Sequence, residues 1–119
     1  MVMMRVTAPN RMDDQTFQSR ADTALRDLFR TLNAAGDRVG FEADFSAGAL
    51  TVEFEDPPGK FVVSPNSPVR QIWVSANVRS YKLDWDKERG TFTLAATGQS
   101  LEELMREAIG THLGEAVEL

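Results

Sequence analysis

The sequence has 119 residues and is 42% hydrophobic, which suffices for one domain with its own core but not for two of ordinary size. Its 18 acidic and 13 basic residues leave a net charge of -5, so we expect neither nucleic acid nor an anionic membrane as a partner. Because cysteine is absent, disulfides, thiolate nucleophiles and cysteine-bound metals are excluded, and any metal would bind oxygen or the single histidine.

The first residues show no targeting pattern. Residues 1–9 contain one arginine and a short apolar stretch, which fits neither a secretory signal nor an Arg-rich, Ser-rich transit peptide. No run approaches the roughly 20 apolar residues that cross a bilayer. We therefore expect a cytoplasmic protein with a single domain over residues 1–119, in which residues 1–12 form a partly ordered N-terminal segment.

A first amphipathic helix is predicted between Asp13 and Ala35, where apolar residues recur at spacings of three and four. Asp13 and Asp14 suit its start, because a carboxylate can accept backbone N–H bonds there and meets the positive end of the helix dipole. Gly36 suits a left-handed stop. The apolar stripe consists of Phe17, Ala21, Ala24, Leu25, Leu28, Phe29 and Leu32.

From residue 41 the apolar period changes to two, which indicates strands with one wet face. Strands are predicted at residues 41–45, 50–54, 60–64, 69–75, 80–85 and 91–95. Residues 57–59 should interrupt pairing before the third strand, and Pro65 and Pro68 should close it. Because no connection is long enough for a helical crossover, neighbouring strands should be antiparallel.

A second amphipathic helix begins at a capping box, Ser100 with Glu103, and continues with apolar residues at helical spacing to Leu113. Two helices with an antiparallel sheet between them pack most simply with both helices on one sheet face, which leaves the other face to solvent. The predicted fold class is therefore α+β, a two-layer α/β sandwich with about six strands in the sheet.

One tryptophan does not follow the core pattern of its strand. Ile72 and Val74 are the aliphatic positions, so the pleat sends Trp73 to the opposite face with Gln71 and Ser75. Trp73 would then be an interaction anchor on the uncovered face. Alternatively, a loop shields it, or the aliphatic pair points outward.

Two other residues are interpreted as structural. Trp85 keeps step with Leu83 along its strand, which favours a core position. His112 lies near the end of the second helix, where packing or capping is more common than metal ligation.

The stretch from Phe61 to Ser75, followed by Asp84 and Trp85, resembles the frataxin signature, in which a proline precedes a Gln-Ile-Trp-hydrophobic-Ser core and an Asp-Trp pair follows. The order of helix, strands and helix is also similar, so the resemblance covers about residues 13–119. It implies an iron-binding protein that contacts the cysteine desulfurase and the scaffold protein of iron–sulfur cluster assembly and tunes the rate of that machinery. The resemblance also implies partner-binding residues on the open sheet face: Ser64, Asn66, Gln71, Trp73 and Lys82.

Frataxins also present a ridge of carboxylates for iron and for basic partner surfaces. Arg26 and Arg30 occupy positions that are commonly acidic, and they can pair with Asp22 and Asp27 at helical spacing. An ordinary solvated surface is the alternative, since isolated carboxylates bind divalent ions weakly and unselectively. The iron ligands implied by the resemblance are Asp22, Asp37, Glu42 and Asp44. A second cluster that could serve equally well is Glu53, Glu55 and Asp56.

The leading hypothesis is a frataxin-like, iron-binding regulator of iron–sulfur cluster assembly that acts as a monomer or as an iron-dependent oligomer. The alternatives are a small acidic secretion-type chaperone, which would be a dimer, a generic protein-interaction module, and a weak ferroxidase that uses the carboxylates. The sequence has no glycine-rich phosphate loop, and no histidine pairs with a nucleophile. Catalysis by the protein's own side chains is therefore not expected.

Overall fold

The computed structural model describes residues 12–119, which form two helices and a six-stranded sheet. The helices are α1 (Asp14–Val39) and α2 (Leu101–Leu113). The strands are β1 (Glu42–Ser46), β2 (Ala49–Glu55), β3 (Pro58–Asn66), β4 (Gln71–Ala76), β5 (Arg79–Asp86) and β6 (Thr91–Leu94). A 3-10 turn at Ser67–Val69 precedes β4. The expectations for residues 1–9 and for an N-terminal segment to residue 12 lie outside the described residues, apart from Met12 itself.

The six strands pair antiparallel in chain order, and both helices pack on one face of the sheet. Helices and sheet share one core, in which Phe17 of α1, Ile72 of β4 and Ile109 of α2 are each 0% exposed. The predicted α+β sandwich is confirmed. Within residues 12–119, no helix combines the length and the apolar character needed to cross a membrane.

Both helices begin at the predicted caps. The Asp13 carboxylate accepts the backbone N–H of Thr16 at 2.7 Å, and Ser100 and Glu103 form the reciprocal bonds of a capping box. The caps satisfy backbone donors that have no partner in the first turn of a helix. The sequence therefore fixes where each helix starts.

The predicted end of α1 is wrong, because the helix continues past Gly36 to Val39. Gly40 provides the left-handed stop with φ of 108°, and the N–H groups of Gly40 and Phe41 donate to the carbonyl oxygen of Gly36 at 2.7 and 3.0 Å. Gly36 serves a different purpose. A Cβ at this position would lie 2.6 Å from the carbonyl oxygen of Phe41, so the chain can fold back closely only over a glycine.

The predicted boundaries around β3 and β4 also need correction. Residues Pro58 and Pro65 lie inside β3, where they pair with Glu55 and Ile72. The β2 register ends at Val63, so Pro65 has a strand partner only on the β4 side and its missing N–H disturbs no ladder bond toward β2. The fourth strand does not start at Val69, because the 3-10 turn and the left-handed Arg70 precede it.

Trp85 and His112 both take packing roles. The Trp85 ring is partly buried against Phe92 at 5.2 Å, and the guanidinium of Arg20 stacks over it at 4.3 Å. The imidazole of His112 packs against Phe54 at 4.3 Å, and its Nε2 lies 2.8 Å from the carbonyl oxygen of Pro57. The packing interpretation of His112 is therefore confirmed, and Trp85 lies at the edge of the core rather than inside it.

Replacing Gly36 by alanine should lower the free energy of unfolding by about 1–3 kcal/mol, because the new Cβ would overlap the carbonyl oxygen of Phe41. The expected loss of stability is opposite to the general effect of alanine, which stabilises a helix relative to glycine by about 1 kcal/mol. Urea denaturation measures the change. The control is Ser19→Ala on the exposed side of α1, which should leave stability unchanged or slightly raised. Equal stability of the Gly36→Ala variant and the wild type would mean that the close approach of Phe41 constrains nothing.

The capping carboxylates should make stability fall in acid. The pKa of Asp13 lies below its ordinary value of 3.8 because the Thr16 backbone N–H donates to it, and the pKa of Glu103 lies below 4.5 because the Ser100 N–H donates to it. A carboxyl with a lower pKa in the folded than in the unfolded state stabilises fully above the unfolded value and loses this effect as the pH falls through the folded value.

A double variant, Asp13→Asn with Glu103→Gln, keeps side-chain acceptors but cannot titrate. Its melting temperature should therefore change less than that of the wild type between about pH 6 and about pH 3. Thermal melts followed by circular dichroism measure both curves. If the two curves run parallel across this range, the caps do not contribute to the acid sensitivity.

Candidate functional site

One face of the sheet carries no helix, and Trp73 lies near its centre. The inward neighbours of Trp73, Ile72 and Val74, are 0% and 1% exposed, whereas Trp73 itself is 37% exposed. Because side chains alternate along a strand, burial of the aliphatic pair forces the indole outward. The prediction that Trp73 lies on the open face is confirmed, and the alternative in which the aliphatic pair points outward is wrong.

The five predicted partner-binding residues, of which Trp73 is one, lie together on this face. Ser64 of β3 is directly opposite Trp73, and Lys82 of β5 is opposite it on the other side. Asn66 is likewise opposite Gln71, two residues before the tryptophan on β4. We call these five residues the Trp73 surface. Their assembly follows from the register of three strands, since each directly opposite pair shares a face.

The indole is held by a chain of hydrogen bonds. Its Nε1–H donates to Oε1 of Gln71 at 3.0 Å, and Nε2 of Gln71 donates to Oδ1 of Asp84 at 3.1 Å. Lys82 places its ammonium 5.1 Å from the centre of the ring, a distance at which a cation and an aromatic face attract. The polar atom of the indole is thus already bonded within the protein, so the ring offers its carbon atoms to a partner.

Asp84 is the last member of this series of hydrogen bonds. The sequence predicts no role for it beyond its place in the Asp-Trp pair. The structure places it directly opposite Gln71 in the β4–β5 register. A carboxylate and an amide at facing positions on neighbouring strands would have been the signal. That signal can be read only after the register is known, because a slip of one residue would move the carboxylate to the other face.

The structure does not bring all four predicted iron ligands to one site. Asp22 pairs with Arg26 at 2.8 Å, and Asp27 pairs with Arg30 at 3.2 Å, as the helical spacing predicts. Asp22 also lies 15 residues before Asp37 on α1, which corresponds to about 22 Å along a helix. The structure therefore separates Asp22 from the carboxylates at the end of the helix.

A different set of carboxylates lines a shallow open cleft of about 480 Å³ between the end of α1, β1 and the β2–β3 turn. We call it the acidic cleft, and its carboxylates are Asp37, Glu42, Glu53, Glu55 and Asp56. The acidic cleft therefore contains two of the predicted iron ligands, Asp37 and Glu42, and all three residues of the second predicted cluster. Asp44 lies one outward position farther along β1, opposite Thr51.

The acidic cleft concentrates negative charge without forming a cage. Glu42 and Glu53 are directly opposite each other on β1 and β2, an arrangement in which like charges repel. A cation between them would relieve that repulsion. In the part of the chain that the structure describes, however, no group of three or more histidine and carboxylate side chains is arranged to hold a metal ion. The carboxylate oxygens of the cleft are suitable ligands for a hard cation, but they are not arranged as a preformed site.

Comparison with known proteins gives a family and a fold. The family model described as a frataxin-like domain matches residues 10–115. The iron-sulfur cluster assembly protein CyaY of Azotobacter vinelandii is 34% identical over 103 residues, which are 85% of this chain and 93% of that protein. Mitochondrial frataxin of Arabidopsis thaliana is 27% identical over 112 residues, which are 91% of this chain but 59% of the plant protein.

Solved structures show the same fold. A frataxin from Psychromonas ingrahamii superposes with a TM-score of 0.75 at 21% identity and covers 90% of this chain and 97% of its own. Yeast frataxin superposes with a TM-score of 0.67 at 18% identity and covers 94% of each chain.

Proposed function

This chain belongs to the frataxin family, and we propose that it regulates iron–sulfur cluster assembly by docking on the complex of cysteine desulfurase and scaffold protein. The observation that carries the proposal is the exposed, oriented indole of Trp73 at the centre of the open face. Relatives such as CyaY of Azotobacter vinelandii are named for iron–sulfur cluster assembly, which supports the same process here.

Docking by this face fits the energetics of protein interfaces. Tryptophan is enriched among the few residues that supply most of the binding energy, and such residues lie near the centre of a contact surrounded by polar groups. Trp73 has this setting, with Ser64 and Lys82 opposite it on the neighbouring strands. Its hydrogen bond to Gln71 reduces the side-chain freedom that is lost on binding.

The charge distribution favours a partner with a basic rim. The chain carries a net charge of -5, and the acidic cleft lies at the β1–β2 edge of the same sheet. Complementary charge accelerates association and selects partners more than it raises affinity. We therefore assign affinity to the Trp73 surface and orientation of the partner to the acidic cleft.

We further propose that iron is cargo, attracted weakly to the acidic cleft rather than held in a fixed site. The proposal is supported by Asp37, Glu42 and the three carboxylates of β2 and its turn, which line one cleft. It replaces the four ligands implied by resemblance with a set that the fold brings together. Oxidation of iron by this cleft has no preformed ligand group to support it within residues 12–119.

The secretion-type chaperone is set aside, because the family matched over residues 10–115 is frataxin-like. A monomer, with an iron-dependent oligomer as the alternative, remains our prediction for the oligomeric state of the protein.

Replacing Trp73 by alanine should weaken binding to the desulfurase–scaffold complex by about 2 kcal/mol, the scale of an interface hot spot. The melting temperature should change little, because the ring is 37% exposed and lies on the face opposite the buried Ile72 and Val74. Isothermal titration calorimetry and thermal melts measure the two quantities.

The matched control for this experiment is Val78→Ala, which truncates another exposed apolar side chain at the β4–β5 turn and should leave binding unchanged. A large loss of stability in Trp73→Ala would show that the ring is structural. Unchanged binding at unchanged stability would rule out the Trp73 surface as the docking site.

Titration with ferrous iron should broaden backbone NMR signals selectively around the acidic cleft, because that cleft gathers carboxylates from α1, β1 and β2. The double variant Glu42→Gln with Glu53→Gln should reduce this broadening, since it removes the facing pair of charges. The charge-matched control is Glu102→Gln with Glu107→Gln on the exposed side of α2. Broadening that spreads equally over all surface carboxylates would contradict the proposal.

A further inference from the structure

We infer that Asp84 is a positioning residue of the Trp73 surface: it orients the amide of Gln71, and Gln71 in turn orients the indole of Trp73. The consequence of this arrangement for partner binding rests on the proposed function, whereas the arrangement itself does not.

The three residues are connected by the geometry of two strands. Gln71 and Trp73 are two positions apart on β4 and share the open face, and Asp84 is directly opposite Gln71 on β5. The bonds from Trp73 Nε1 to Gln71 Oε1 and from Gln71 Nε2 to Asp84 Oδ1 measure 3.0 and 3.1 Å. Both lengths lie in the normal range for N–H···O bonds.

Asp84 determines which way the Gln71 amide faces. A glutamine amide has a donor end and an acceptor end of nearly equal size, so shape alone does not choose between its two orientations. An ionised carboxylate can only accept hydrogen bonds, and it therefore draws Nε2 of Gln71 toward Asp84. The carbonyl Oε1 is then left to face the indole N–H, which can only donate.

Without Asp84, neither the Gln71 amide nor the Trp73 indole would be held in one orientation. A flipped amide would direct its NH₂ group at the indole N–H, so that two donors faced each other. A rotated amide would leave the indole nitrogen to water. In either case the ring would lose its fixed direction, while the buried neighbours Ile72 and Val74 on the opposite face would keep the strand in place.

The surrounding charges leave Asp84 available for this role. Lys82 lies two residues earlier on the same face of β5, and its ammonium is placed 5.1 Å from the centre of the indole ring. In the part of the chain that the structure describes, the Asp84 carboxylate takes part in no ion pair, and it accepts a side-chain hydrogen bond from Gln71. Lys82 and Asp84 thus act on Trp73 from two directions, one on the ring face and one through the ring nitrogen.

Two variants separate the acceptor of Asp84 from its charge. Asp84→Leu removes both, whereas Asp84→Asn removes the charge but keeps a carbonyl oxygen that can accept from Gln71. In the full chain without any partner, Asp84→Leu should shift the Trp73 indole N–H resonance and increase its exchange with water. Asp84→Asn should largely preserve the resonance. The signals of Trp73 and Trp85 are assigned with Trp73→Phe.

Binding to the desulfurase–scaffold complex is the second measurement. Loss of the fixed ring should weaken binding by Asp84→Leu about threefold to tenfold, the scale for one side chain that must be immobilised on association. Asp84→Asn should bind nearly as well as the wild type. Glu88→Gln is the control for lost charge in the adjacent hairpin, because the Glu88 bond to Asp86 uses its backbone N–H.

The outcomes are distinct. If Asp84→Leu leaves the indole resonance unchanged, or if Asp84→Asn shifts it as much as Asp84→Leu does, Asp84 does not orient the amide and the inference is overturned. If the wild-type protein does not bind the complex at all, the proposed function fails, and the NMR measurement still decides the role of Asp84.

Discussion

The arrangement of the open face depends on one constraint, the alternation of side chains along β4. Ile72 and Val74 are buried beneath the helices, and a strand cannot bury them without turning Trp73 outward. The same alternation places Gln71 beside the indole, and the antiparallel register brings Ser64 and Lys82 to its two sides. The exposed tryptophan is therefore a consequence of how the core is packed.

The Trp73 surface on the open face and the acidic cleft at the β1–β2 edge of the sheet have different physical properties. The Trp73 surface offers an apolar ring whose nitrogen is already bonded, so it is suited to tight contact with a complementary surface. The acidic cleft offers repelling carboxylates in open solvent, which attract cations and basic surfaces without selecting them strongly. Because both lie on one sheet, a partner that meets the indole can also lie near the cleft. The proposed attraction of iron and the proposed docking of a partner would thus use two surfaces of one sheet that share no residue.

Local signals predicted some features accurately and missed others. Asp13, Ser100 and Glu103 marked the helix starts because capping depends on residues within one turn. Local signals do not distinguish Gly36 from Gly40 as the end of α1, because both glycines suit a helix stop, and only the close approach of Phe41 shows that Gly36 is a packing contact. Pro65 lies inside β3 rather than at its end, which is tolerated because the pairing with β2 has already ended at Val63.

The sequence by itself determined the fold class, the helix starts and the pairing of Asp22 with Arg26, since these follow from periods and spacings along the chain. It predicted the outward direction of Trp73, but only the observed burial of Ile72 and Val74 excluded the alternative in which that aliphatic pair points outward. Only the tertiary structure decided which carboxylates share a cleft and that Asp84 faces Gln71. These groupings join residues from different elements, and their distances depend on register and on helix placement. Neither is encoded in the spacing along a single strand or helix.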